Sequence, residues 1–169
     1  MDVNGVLDQL VRNARRIRAL VEGVPDEQAR SRPDPESWSI LEVVCHLHDE
    51  EREDFRPRLD IMLHRPDDRW APIDPRGWVT ARRYNEQFLA EQLAGYVAER
   101  EASLAWLRGL EAPDWEATVT VPWGTMRAGD MLASWAAHDL LHLRQLVELH
   151  RAQVLALTDG YSTEYAGDW

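Results

Sequence analysis

The sequence predicts an all-α four-helix bundle, and three observations carry that expectation. Four long segments place apolar residues at helical spacing, proline-containing stretches separate them, and only Thr118–Trp123 alternates as a strand would. The last long segment holds the most informative pattern. Stepping by four and three from Met131 gives Trp135, His138, His142, Gln145 and Leu149, the stripe a bundle helix turns toward its neighbours. His138 and His142 therefore stand one turn apart, about 6 Å along the backbone, where leucine would ordinarily sit. Buried rings of this kind need a hydrogen bond or a metal. Spacing alone leaves both readings open: two satisfied core histidines, or two ligands of one ion.

The first helix is expected over residues 3–22, where Val3, Val6, Leu7, Leu10, Ala14, Ile17 and Val21 share a face, and Gly23 and Pro25 end it. Residues 24–37 contain three prolines and read as a loop with one helical turn. Ser39 and Glu42 form a capping box that opens the second helix, and Trp38 before the cap is placed to staple onto Val43. Ile40, Val43, Val44 and Leu47 supply an apolar stripe that then stops. From His48 to Asp54 every residue is polar, before Phe55, Leu59 and Met62 resume it, and Pro57 is expected to kink the helix. Such a gap marks a helix leaving the core or lining a polar cavity. His46 stands at its edge, on the face that also carries Glu50, while His48 points away. His64 and His150 fall near helix ends, where surface roles suffice.

Residues 65–80 form a long proline-containing connection, more than a tight turn needs, which suggests a crossover. The third helix is expected from Ala81 to Leu110. Its seam reads Leu93, Val97, Arg100, Leu104 and Leu107, so Arg100 interrupts an apolar row. An inward arginine requires a carboxylate, and the 50–54 segment offers several, whereas a surface arginine would snorkel to water. Pro113 breaks this helix. Thr118–Trp123 then makes a short hairpin-like extended segment, and a fourth helix starts at Thr125 or Gly129–Asp130 and runs to about Val154.

At 169 residues the chain is expected to be one domain, with 44% hydrophobic and 29% charged residues. The charge of −11, from 19 basic and 30 acidic residues, disfavours nucleic acid or an anionic membrane as partner. Every basic residue is arginine, so no lysine can act as a Schiff base. Cys45 is the one cysteine, which excludes an internal disulfide and fits a reducing compartment. No signal peptide or membrane-spanning run is visible, and the expected location is the cytoplasm.

Several of these residues, taken together, resemble the DinB-like superfamily. They are Ser37-Trp38-Ser39 opening a helix, His46-Leu47 with Asp49 and Glu51, and Trp123-Gly124-Thr125 leading to His138-Asp139, His142-Leu143 and Gln145. The resemblance covers nearly the whole chain. It implies an up-down-down-up bundle with long crossover connections, a homodimer, and a divalent metal (Zn, Ni or Fe) held by His46, His138 and His142. It also implies a small-molecule substrate and chemistry of one of two kinds. Some relatives are mycothiol-dependent isomerases or bacillithiol transferases, and others are described as metal-dependent hydrolases. The expectation adopted is a metal-dependent thiol S-transferase. The alternatives are a hydrolase or a non-catalytic metal-binding stress protein.

Three neutral imidazoles with an open position form a catalytic rather than a closed structural site. An ion there would lower the pKa of water toward about 7, or deprotonate a thiol, giving a nucleophile at neutral pH. Glu50, Asp139 and Gln145 are the candidates to fix the ring tautomers, and Glu50 and Glu51 the candidates for acid–base work.

Overall fold

Asp2 opens the first helix, α1 (Val3–Val21), by accepting a hydrogen bond from the Gly5 N–H at 3.0 Å, and Gly23, at φ +82°, turns the chain away after it. A short helix, α2 (Asp26–Arg30), follows in the computed structural model, which describes residues 1–169. The capping box at Ser39 is present in full. Its hydroxyl accepts from Glu42 N at 3.2 Å, and the Glu42 carboxylate accepts from Ser39 N at 2.8 Å.

The second long helix is one rod with a change of winding. It runs as α3 (Ile40–Glu50), a π-helical turn over Glu51–Phe55, and α4 (Arg56–His64). Leu47, Glu51, Phe55 and Leu59 are all buried and lie at strict spacings of four. An α-helix turning 100° per residue would carry that row steadily off the inward face, and the wider π turn returns it. Pro57 lacks the N–H that a continuous α ladder would direct at the Glu53 carbonyl, so the change of winding falls where the ladder is already interrupted.

The third long helix begins later than the sequence suggests. Residues 75–81 form α5 (Pro75–Ala81), started by Pro75 and by Asp74 accepting from Gly77 N at 2.9 Å. Arg83 then takes a left-handed φ of 48°, a single turn of 3₁₀ helix covers Tyr84–Glu86, and only then does α6 (Leu89–Gly109) run. The expected helix from Ala81 is thus split by backbone geometry at Arg83. Thr118–Val121 and Gly124–Arg127 pair as a two-stranded antiparallel hairpin, β1 and β2. The final helix, α7 (Ala128–Leu157), starts when Asp130 accepts from Arg127 N at 3.0 Å.

Contacts between helices give their directions. His150 reaches the Leu20 carbonyl and the Met1 side chain approaches Gly129, so α1 and α7 run parallel. Trp38 lies against His142 and Phe55 against Trp135, so the second rod is antiparallel to α7. His48 bonds Gln92 and Arg56 bonds Ser103, so the second rod and α6 run parallel, joined by the long 65–88 crossover. The order is up-down-down-up. At Gly95 a Cβ would come within 2.4 Å of His48 Cε1, so glycine there leaves room for the His48 ring between these two parallel rods. No helix is long and apolar enough to cross a membrane.

The core is two apolar clusters stacked along the bundle axis. One gathers Ile17, Val21, Leu41, Val44, Leu47, Tyr96 and Leu146; the other gathers Leu7, Leu10, Phe55, Leu59, Leu104, Met131 and Trp135. Between them each long helix contributes polar residues to a shared layer: Asn13, His46 with Glu50 and Glu51, Arg100, and His138 with Asp139 and His142.

Candidate metal centre

That polar layer has two halves. In the first, Arg100, 2% exposed, is bracketed by two carboxylates. Its Nη1 and Nη2 donate to the two Asp139 oxygens at 2.7 and 2.8 Å, its Nε donates to Glu51 Oε1 at 2.5 Å, and Nη1 also reaches the Leu10 carbonyl at 3.3 Å. Asn13 Nδ2 donates to Asp139 at 3.2 Å, Ser103 Oγ to Glu51 Oε2 at 2.8 Å, and Trp135 Nε1 to Glu51 Oε1 at 2.8 Å. The inward Arg100 with a partner from the 50–54 segment is therefore observed, and the network ties all four long helices.

The second half is the histidine cluster. His138 Nε2 lies 3.3 Å from His46 Nε2 and 3.1 Å from His142 Nε2. His46 and His142 are buried and His138 is half-buried, so the cluster opens on the His138 side. Burial, with the neighbouring rings, pushes His46 down to about 2 and His138 to about 3, and burial lowers His142 as well. All three are neutral at pH 7. A neutral ring nitrogen offers one hydrogen or one lone pair, so His138 Nε2 cannot satisfy both neighbours. Three lone pairs converging on one small volume suit a cation instead. Nitrogens about 2.1 Å from a common ion at tetrahedral to octahedral angles lie roughly 3.0–3.4 Å apart, the spacing of His138 Nε2 from each of its two neighbours, and all three ligand atoms fall within 4.8 Å of one another. The residues fit a divalent metal.

Gln145 fixes one tautomer. Its Oε1 lies 2.8 Å from His142 Nδ1, so Nδ1 carries the hydrogen and Nε2 presents its lone pair to the cluster. Gln145→Ala is expected to weaken zinc binding about 10–100-fold, measured by competition with a chromophoric chelator. Glu50 Oε1 stands 3.8 Å from His46 Nδ1, and neither atom has a hydrogen-bond partner within the chain. Burial first, then the charge of Asp54 beside it, pushes Glu50 up to about 9, and burial raises Asp54 too. The folded metal-free protein thus keeps a proton on Glu50 that the unfolded chain releases above its ordinary value of 4.5, so this group lowers stability increasingly from pH 4.5 toward 9. Glu50→Gln should melt above the wild type at pH 8, and the gap should close near pH 4.

The other expected residues are placed as follows. Glu51 has both oxygens engaged by Arg100, Trp135 and Ser103. Asp139 serves Arg100 and Asn13, so of the three proposed tautomer-fixing residues only Gln145 makes a hydrogen bond to a histidine. His48 pairs with Gln92, His64 with Asp60 and His150 with the Leu20 carbonyl, all away from the cluster. Cys45 is buried, with its thiol raised to about 12 mainly by burial, which makes it inert. Trp38 lies 5.0 Å from His46 and stacks parallel to His142 at 6.4 Å, a position its place before the cap did not reveal. Asn13 was also unforeseen, although it interrupts the Leu10–Ile17 stripe as Arg100 interrupts its own.

The sequence profile of the DinB superfamily matches residues 9–146, a span that holds all three histidines. Among solved structures the chain is similar to YfiT from Bacillus subtilis, described as a probable metal-dependent hydrolase with an unusual four-helix bundle topology. The TM-score is 0.79 at 19% identity, covering 89% of this chain and 87% of that one. No curated protein matches the sequence.

Proposed function

The chain belongs to the DinB superfamily, and from that premise we propose that it is a metal-dependent enzyme, a thiol S-transferase acting on small electrophiles. The observation that carries the reading is the convergence of three neutral Nε2 atoms, 3.1 and 3.3 Å apart around His138. His46, His138 and His142 would hold a divalent cation such as Zn, Ni or Fe. When bound, it supplies the Lewis acidity that lets a thiol lose its proton at neutral pH. The chain does the rest. Gln145 orients His142, and Trp38 and Phe55 supply apolar walls beside the rings that exclude water and strengthen electrostatics inside. Of the two carboxylates considered for proton handling, Glu50 is the one with a free oxygen, held next to His46. A low-molecular-weight thiol such as mycothiol is the proposed co-substrate.

A second reading, hydrolysis, is favoured by the description of YfiT and needs the same cluster with water in place of the thiol. Metal-loaded protein incubated with a panel of thiols and electrophiles separates them. Thioether formation that requires both metal and thiol, and is lost in His142→Ala, supports the transferase. Product formed at the same rate without thiol supports the hydrolase. The absence of either from fully loaded protein supports a non-catalytic role.

The homodimer expected from the family is part of this proposal. The outer face of α7 carries a second stripe at steps of four and three: Ala133, Ala137, Leu140, Arg144, Val147, Arg151 and Val154. Leu140, Val147 and Val154 on it are 48%, 38% and 54% exposed. A repeat of this kind on an outer face suits pairing with the same face of a second copy. Light scattering should give twice the chain mass for the wild type and the chain mass for Leu140→Glu/Val147→Glu.

A further inference from the structure

The three rings of the cluster are supported in different ways. His142 has Gln145, and His46 has Trp38 and Glu50 close by. His138 Nδ1 makes no hydrogen bond within the chain, and its Nε2 faces only the other two rings. Outside the cluster, the aromatic ring that meets it is Phe55, at a centroid distance of 5.1 Å and a tilt of 56°. Phe55 lies nearly flat on Trp135, 5.5 Å away at 7°. Trp135 is 1% exposed and pinned at its edge, since its Nε1 donates to Glu51 Oε1 at 2.8 Å. Glu51 is in turn held by Arg100 and Ser103. Glu51 and Phe55 are the two ends of the π-helical turn, which keeps both on the inward face.

We infer that Phe55 and Trp135 are positioning residues for His138, and that the π-helical turn is the device that places Phe55 together with Glu51, the residue that pins the Trp135 edge. The stack replaces the hydrogen bond that orients an ordinary metal-ligating histidine. Tilted aromatic contacts of this separation are directional, so an aliphatic side chain of similar volume fills the space without fixing the ring. The link to Arg100 also gives the first half of the polar layer a mechanical role in the second. Its consequence for metal affinity rests on the metal reading above, while its consequence for the ring itself does not.

The test uses Phe55→Leu, Trp135→Leu and Trp135→Phe in the full chain, each checked for helical circular dichroism. In metal-free protein, long-range proton–nitrogen spectra report the tautomer and mobility of each imidazole. The His138 signal should broaden or double in Phe55→Leu and Trp135→Leu, while those of His46 and His142 hold. With Co²⁺ as probe, both variants should bind about 10–100-fold more weakly and show altered visible bands, and Trp135→Phe, which keeps a stacked ring, should lie nearer the wild type. A sharp single His138 signal in both leucine variants, with Co²⁺ affinity unchanged within about twofold, would overturn the inference. If the wild type takes up no Co²⁺, the metal reading fails and the imidazole spectra decide this inference by themselves.

Discussion

Arg100→Ala is expected to destabilise the protein by about 3–5 kcal/mol, the usual cost of removing one partner of a buried ion pair. For a chain of this size each kcal/mol moves the melting temperature by about 2–4 °C, so the loss should be plain in a thermal melt. The reason lies in what remains. Glu51 and Asp139, 1% and 0% exposed, would be left in the core without their cation, with only Ser103, Trp135 and Asn13 as donors. A melt of Arg100→Ala that matches the wild type would refute this account of the layer. The triple variant Arg100→Met/Glu51→Leu/Asp139→Leu should recover part of the loss, because no buried charge is left unpaired, although Trp135 Nε1, Ser103 Oγ and Asn13 Nδ2 lose their carboxylate acceptors. Recovery would show that the cluster serves arrangement rather than net stability, in keeping with its place between two apolar clusters.

The second large effect concerns metal. His138→Ala and His142→Ala should each abolish stoichiometric binding of zinc, assayed by elemental analysis after reconstitution. The helical spectrum should persist, since the bundle's apolar clusters do not involve these rings. His48→Ala, His64→Ala and His150→Ala should bind as the wild type does, because those rings are engaged elsewhere.

How much of this was readable beforehand depended on whether the cause was local. The cap at Ser39, the seam of α7 and the inward Arg100 are matters of spacing along one helix, and the sequence states spacing directly. His46 could be singled out because the apolar stripe fails just after it, but Pro57 announced only a kink in that helix, not the π turn over Glu51–Phe55. Asp139 was expected to fix a ring tautomer, and the structure gives it other partners. It follows His138 by one residue, about 100° around the helix, and so faces Arg100 and Asn13 instead of the rings. The break between α5 and α6 was hidden because nothing about arginine announces the left-handed backbone at Arg83. Trp38 packs on the apolar cluster that holds Val43, in keeping with its place before the cap, but its contact with the His46 and His142 rings joins two helices and could not be read from spacing along one.

In the proposed site one divalent ion is shared by His46, His138 and His142. Diffraction from metal-loaded crystals at the absorption edge of the metal tests it most directly. One anomalous peak per chain is expected within about 2.0–2.2 Å of the three Nε2 atoms, with Gln145 still bonded to His142 Nδ1. A peak elsewhere, or none at this cluster in crystals soaked with zinc, would contradict it.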